Sequence, residues 1–414
     1  MKCRRSGPFI AIVLLVVGVS ASAEERPPIE LSERAKQLHA ASIVVDGHND
    51  LPWELRSQAD SDLGQLDIAK RQPSLQTDLP RLREGGVGVQ WWSVWVPTLT
   101  ALRGESLQTT LEQIELVETM ARTYPASLKL ARTSKEVDAA LAEGKIASLM
   151  GVEGGHCIEG SLNSLRLLYD RGARYMTLTH SDSLAWADSA TDDERVGGLN
   201  EFGREVVREM NRLGMIVDIS HVSPATMHQT LDTTAAPVIF SHSSCRAVAD
   251  HPRNVPDDVL ARLPENRGVV MINFFSAFVV PAAVDVYKAK FDLRRELQTQ
   301  MPDNEDEVQR RLAKWSATRP MPRGTIHDVL DHIDHAVRIA GADHVGLGSD
   351  YDGVSVLPTQ LEDVSTYPYL TQGMLDRGHS EADIKKILGQ NALRVFRDVE
   401  AAAERLAASS EASP

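Results

Sequence analysis

Cysteine is nearly absent from this chain of 414 residues: only Cys3, Cys157 and Cys245 occur. Two of these lie beyond the opening segment, too few for a disulfide framework, and a chain this long can bury a large core without one. Whether Cys157 and Cys245 are paired is open at this level. Positive charge is the minority sign, with 44 Lys and Arg against 58 Asp and Glu, a net charge of −14. Such a surface argues against nucleic acid and anionic lipid as partners. Long apolar runs are missing after about residue 19, so no later segment reads as membrane-spanning, and the polar C-terminus EAAAERLAASSEASP has no lipid-anchor signal. Also missing are a Gly-rich phosphate loop, a G-x-S-x-G elbow and an H-E-x-x-H helix, which sets aside three common catalytic frameworks.

What is present begins with MKCRRSGPFIAIVLLVVGVSASA: basic residues, a short apolar run, then Ala21-Ser22-Ala23. That order predicts a secretory signal over residues 1–23, cleaved after Ala23. The apolar run is shorter than the roughly 20 residues of a spanning helix, which disfavours an uncleaved anchor. The expectation is a protein exported to the periplasm or secreted, with no transmembrane anchor in the mature chain. Loss of Lys2, Arg4 and Arg5 would take its net charge to −17.

Eight β-rich runs then follow one another: IVVDGHND (43–50), VGVQWWSVWV (87–96), KIASLMGVEG (145–154), RYMTLTH (174–180), MIVDISH (215–221), PVIFSH (237–242), GVVMINFF (268–275) and HVGLGSD (344–350). Between them lie segments whose apolar residues recur at three and four, several ending in Gly, as at Gly172, Gly214 and Gly341. Eight strands alternating with helices predict a parallel sheet closed as an α/β (β/α)8 barrel of the TIM type. A doubly wound open sheet fits less well, because polar clusters close nearly every strand and not one switch point. The expected organisation is one catalytic domain over 24–400, a charged helical insertion at about 280–322, and a disordered tail over 401–414. The insertion follows the C-terminal end of a strand and would overhang the active face. Its density of charge also suits a solvated excursion or an oligomer contact.

The strand ends carry the chemistry. IVVDGHNDLPWEL runs from β-branched residues straight into His48 and Asp50, which alternate onto one face of a strand about 7 Å apart. Three further runs end apolar, then Ser or Thr, then His, at His180, His221 and His242. Another ends at Glu153 before two glycines, and the last at Asp350. A single His at a strand end is more often a hydrogen-bonded rim residue than a ligand. Seven such groups at C-terminal strand ends, where barrel enzymes place their catalysis, are not explained that way. Imidazoles and carboxylates suit zinc, and their number exceeds the needs of one ion. Two ions sharing a carboxylate is the economical arrangement, giving a locally positive site, attractive to an anionic substrate, in an acidic protein.

The segments DGHNDLPW, GVEGGH, TLTHS, DISHVS, VIFSHSS, HPRNVPDD and GLGSDYDGV, in this order, resemble the zinc-dependent membrane (renal) dipeptidase family over about residues 40–395. The resemblance implies a metallodipeptidase with two zinc ions per chain. His48 and Asp50 would bind one ion, His221 and His242 the other, and Glu153 would bridge them. It implies that His180 contacts the substrate and steadies the tetrahedral intermediate, that Arg253 binds the substrate carboxylate, and that Asp350 transfers protons. A hydroxide bridging the ions would attack the peptide carbonyl of a small dipeptide, with tolerance for a D-residue at the C-terminal position. The family's mammalian members are lipid-anchored and disulfide-linked. This chain carries neither an anchor signal nor a matching cysteine pattern, which leaves substrate range and assembly, including a homodimer, open.

Other features are set aside. His327, Asp328, Asp331, His332 and His335 lie at helical spacing and read as an exposed polar face opposite Val329, Ile333 and Val337. Trp91, Trp92 and Trp95 read as core, with Trp92 or Trp53 as candidates for the substrate mouth. His156 fits either support of the site or a structural role. Two rivals remain: a barrel amidohydrolase for cyclic amides, lactams or N-acyl amino acids, and a periplasmic protein that uses metals only to bind.

Overall fold

Nine parallel strands organise the computed structural model of the protein, which describes residues 26–302 and 304–411. The expected export signal lies outside these residues. The strands are β1 Val44–Asn49, β2 Val87–Ser93, β3 Leu128–Leu130, β4 Ile146–Glu153, β5 Ala173–Thr177, β6 Ile216–Asp218, β7 Ile239–Phe240, β8 Val269–Ile272 and β9 Val345–Leu347. Their order is β2-β1-β9-β8-β7-β6-β5-β4, and β2 pairs again with β4, so eight strands close on themselves. This is the expected (β/α)8 barrel. The ninth, β3, was not anticipated. It runs beside Ile146–Ser148 of β4, while β5 takes over the same edge from Met150 to Glu153.

The barrel strands are buried on both faces, which is why they read as near-continuous apolar runs. Inward-facing residues recur at a spacing of two, among them Val45, Val89, Trp91, Leu149, Tyr175, Ile239 and Met271. They pack against Ala392, Leu393, Val395, Phe396 and Val399 of the last helix, Asn391–Glu411, which closes the N-terminal end of the barrel. The outer helices follow their sequence signals. Asn200 caps Glu201–Leu213 by accepting from Gly203 N, and the helix stops at Gly214 with φ +78°. Thr325 and Asp328 form a capping box at the start of Ile326–Ala340.

Three expectations are corrected. The tail is not disordered from 401: the last helix continues to Glu411, because AAAERLAASSE is built of strong helix formers (residues 412–414 lie outside the described residues). His332 is not on an exposed face but fully buried, its Nδ1 accepting from Cys245 N at 2.9 Å and its Nε2 bonded to Val279 O at 3.1 Å. Of the two tryptophans offered for the substrate mouth, Trp92 is fully buried while Trp53 lines the cavity there, joined by Trp95, which reads as core in the sequence. Cys157 and Cys245 are both buried and free. The insertion forms two helices, Pro281–Gln300 and Glu305–Thr318, which share a small core of Leu297, Val308 and Leu312. Among the described residues no helix is long and apolar enough to cross a membrane.

Candidate metal centre and substrate cavity

The seven strand-end groups converge at the C-terminal end of the barrel. His48 closes β1 and Asp50 follows it; Glu153 ends β4; His180, His221, His242 and Asp350 sit just past β5, β6, β7 and β9. Ligand atoms of His48, Glu153 and His242 lie within 4.8 Å of one another, as do those of Glu153, His180 and His221, and those of His48, Asp50 and Asp350. Glu153 is common to the first two groups and its oxygens divide. Oε2 is 3.4 Å from His48 Nε2, whereas Oε1 is 2.9 Å from His221 Nε2 and 3.3 Å from His242 Nε2. Asp50 Oδ2 is 3.2 Å from His48 Nε2.

These residues suit a cation. His48 Nδ1–H donates to the Tyr175 hydroxyl at 2.8 Å, and that hydroxyl donates to Gly47 O at 3.3 Å. The chain of donors leaves the lone pair on Nε2, which is buried and has no hydrogen-bond partner. His242 Nδ1 is fixed in the same way by Ser241 Oγ at 2.8 Å, because Ser241 donates onward to Asp218 Oδ2 at 2.6 Å. His242 Nε2 then faces His221 Nε2 at 2.8 Å. At that distance either one ring N–H donates to the other nitrogen or both lone pairs turn to a shared cation. The electrostatics agree. Burial pulls the pKa of His221 and His242 well below the histidine range, so both rings stay neutral donors of lone pairs. At His48 burial also opposes charge, but Tyr175, Glu153 and Asp50 outweigh it and hold its pKa well above the usual value. Positive charge is therefore favoured beside Nε2. Glu153 stays ionised despite its burial because the histidines around it pull its pKa well down.

Two site residues hold left-handed backbone, His221 and Asp350, each with φ +67°. Non-glycine residues accept this at a cost of about 1–3 kcal/mol when their surroundings fix them. Here the fixing bonds are Ala190 N to His221 O at 2.7 Å and Asp350 N to His48 O at 3.2 Å. Asp350 Oδ2 accepts from Asn273 Nδ2 at 2.7 Å, and burial pushes the Asp350 carboxyl up to about 7. His180 is the most exposed of the four site histidines, tilted over His221 at 4.4 Å and Trp95 at 5.5 Å between ring centroids.

Above this centre opens a cavity of about 610 Å³, lined in part by Asp50, Glu153, His180, His221, Arg253 and Asp350. Arg253 comes from the loop between β7 and β8. Its guanidinium donates to Ser243 Oγ at 3.2 Å and His242 O at 3.1 Å and lies 5.3 Å from the Phe278 ring centre, while Nε is buried without a partner. Thus every residue singled out from the sequence is brought to one place. His156 is not part of it: its Nε2 bonds to Val96 O at 3.0 Å.

Sequence reasoning missed the residues that orient the clustered side chains: Tyr175 for His48, the Asp218–Ser241 pair for His242 and Asn273 for Asp350. The only available signal was a Tyr at an inward position of β5 opposite a glycine. A Cβ built on Gly151 would lie 1.9 Å from Cζ of Tyr175, so the ring fills the space that a side chain at 151 would occupy.

Comparison with known proteins gives a concordant answer. An uncharacterized dipeptidase of Schizosaccharomyces pombe is 42% identical over 370 residues, covering 86% of this chain and 81% of the yeast protein. The probable dipeptidase PvdM of Pseudomonas aeruginosa shares the fold, with a TM-score of 0.78 at 24% identity over 89% of this chain and 98% of that one. A metallopeptidase of Rhodobacter sphaeroides, solved with a phosphinate mimic of the dipeptide L-Ala-D-Ala, gives a TM-score of 0.69 at 25% identity, covering 86% and 99% of the two chains. The model of the membrane dipeptidase family (peptidase family M19) matches residues 32–410, and the chain belongs to that family.

Proposed function

We propose that this protein hydrolyses dipeptides at a centre of two zinc ions. The observation that carries the reading is the division of Glu153, one oxygen toward His48 and the other toward His221 and His242, beneath a cavity walled by Arg253. His48 and Asp50 would hold one ion, His221 and His242 the other, with Glu153 between them. Bound there, the ions would supply a nucleophile from water at neutral pH and polarise the scissile carbonyl.

The chain's own groups do the rest. Arg253, in the cavity wall, receives the substrate's terminal carboxylate, and that contact sets a limit on length. That requirement for a free carboxylate favours dipeptides over cyclic amides. His180, the partly exposed member of the Glu153, His180 and His221 group, donates from the cavity wall toward the oxygen on which negative charge develops. Asp350, with Oδ2 held by Asn273, has Oδ1 free to accept the nucleophile's proton and return it to the leaving amine. The mimic bound by the Rhodobacter sphaeroides relative ends in a D-residue, and we extend that tolerance to this chain. Export, cleavage after Ala23 and a single catalytic domain over 24–400 belong to the same reading.

The test is elemental analysis of the purified protein combined with a dipeptide screen that includes C-terminal D-residues and C-terminal amides. About two zinc ions per chain are expected, with activity lost on chelation and restored by zinc, and with amides turned over poorly. A metal-free preparation of full activity would refute the reading.

A further inference from the structure

The insertion helix Pro281–Gln300 is rich in charge and half of it is exposed, yet Tyr287 and Phe291, four residues apart and so on one face, line the substrate cavity. The insertion is therefore not only a solvated excursion. Tyr287 is held by protein: its ring meets Phe275 at 5.6 Å and Phe278 at 5.9 Å edge-on, and His251 at 5.2 Å. Phe291 differs. It is half-buried in the cavity wall, and among the described residues it makes no ring contact and joins no buried apolar cluster. An apolar ring that faces a cavity and packs into no ring pair or core cluster has a face left for a ligand.

The position of these rings identifies which part of a ligand they meet. Phe278, which packs on Tyr287, also lies under the Arg253 guanidinium. Tyr287 and Phe278 therefore lie beside the place where Arg253 would take a carboxylate, with Phe291 one helical turn on in the same cavity lining. From this juxtaposition we infer that Tyr287 and Phe291 form a wall for the side chain of the substrate's C-terminal residue, and that the enzyme selects dipeptides with a large apolar residue there. This rests on the dipeptidase reading above and adds a specificity determinant carried by the insertion. The hairpin's own core of Leu297, Val308 and Leu312 keeps the helix rigid enough to serve as a wall.

The experiment measures kcat and KM for Ala-Gly, Ala-Ala, Ala-Leu and Ala-Phe with zinc-loaded wild type, Phe291→Ala, Phe291→Leu and Tyr287→Ala. Wild type should favour Ala-Leu and Ala-Phe. Phe291→Ala should lower kcat/KM for these two by about tenfold, the scale of an apolar pocket contact, chiefly through KM. Ala-Gly should change less than twofold, and Phe291→Leu should restore most of the preference. Phe291 is half-buried, so its variants keep the test valid even if Tyr287→Ala fails to fold. A uniform loss across all four substrates, or an unchanged preference in Phe291→Ala, would overturn the wall while leaving the dipeptidase reading intact. Failure of wild type to cleave any of the four would overturn both.

Discussion

At the scale of single residues, proton transfer and ligand orientation separate cleanly. Asp350→Asn keeps the size of the side chain and suits a left-handed backbone, since Asn tolerates φ near +67°. It is expected to retain zinc and lose roughly 10²–10⁴ in kcat, the range for removal of a general acid or base. Asp352→Asn is the control, because Asp352 Oδ1 accepts from Gln76 N at 2.7 Å in a loop-holding role. Activity lost only in Asp352→Asn would reverse the assignment. Tyr175→Phe removes one oxygen and leaves His48 Nδ1 without its acceptor. Metal affinity at the His48 and Asp50 end should fall about 10–100-fold, read by zinc titration of the metal-free protein. An unchanged titration would show that ring packing alone orients His48. The clustered strand-end groups were legible in the sequence because a polar group closing an apolar run is conspicuous. Tyr175, Asp218 and Asn273 were not: Tyr175 meets His48 across the barrel, the other two meet Ser241 and Asp350 on neighbouring strands, and sequence spacing carries no trace of either kind of contact.

Among the elements, the long apolar runs between helical segments were read correctly and the short or compositionally plain pieces were not. The strand β3 is three residues long, Leu128–Leu130, and has no periodicity to detect. The last helix looked like a frayed end because its outer half is small and polar, whereas its inner half carries Phe396, fully buried and edge-on to Trp91 at 5.9 Å. That helix is part of the barrel core. Phe396→Ala should lower stability by about 3–5 kcal/mol, as for other large buried aromatics, measured by urea unfolding. A loss below about 1 kcal/mol would mean that the helix only rests on the barrel end.

For the molecule as a whole, buried neutral histidines outside the centre set the response to acid. His332 has a pKa pulled down to about 4 by burial, whereas an unfolded histidine takes its proton near 6.5. Between those values the unfolded state binds more protons, so the His332 contribution is complete above about pH 6.5 and lost as the pH falls toward 4. The loss amounts to roughly 3 kcal/mol. Protonation would also remove the acceptor of Cys245 N. Urea midpoints measured with metal-free protein from pH 7.5 to 4.5 should fall for wild type and fall less for His332→Gln. Parallel curves for the two would exclude His332 as a source of acid sensitivity.

The fit of Tyr175 against Gly151 also constrains the paths by which this sequence can diverge. While the ring is present, any side chain at 151 collides with it; once the ring is gone, the three nearest obstructing atoms go with it. Gly151→Ala should therefore unfold the wild type readily yet be accepted in a Tyr175→Ala background. The two changes are passable in one order only. A lineage leaving this arrangement must first give up the hydroxyl that orients His48, so the glycine is protected by the function of its neighbour and not by any function of its own.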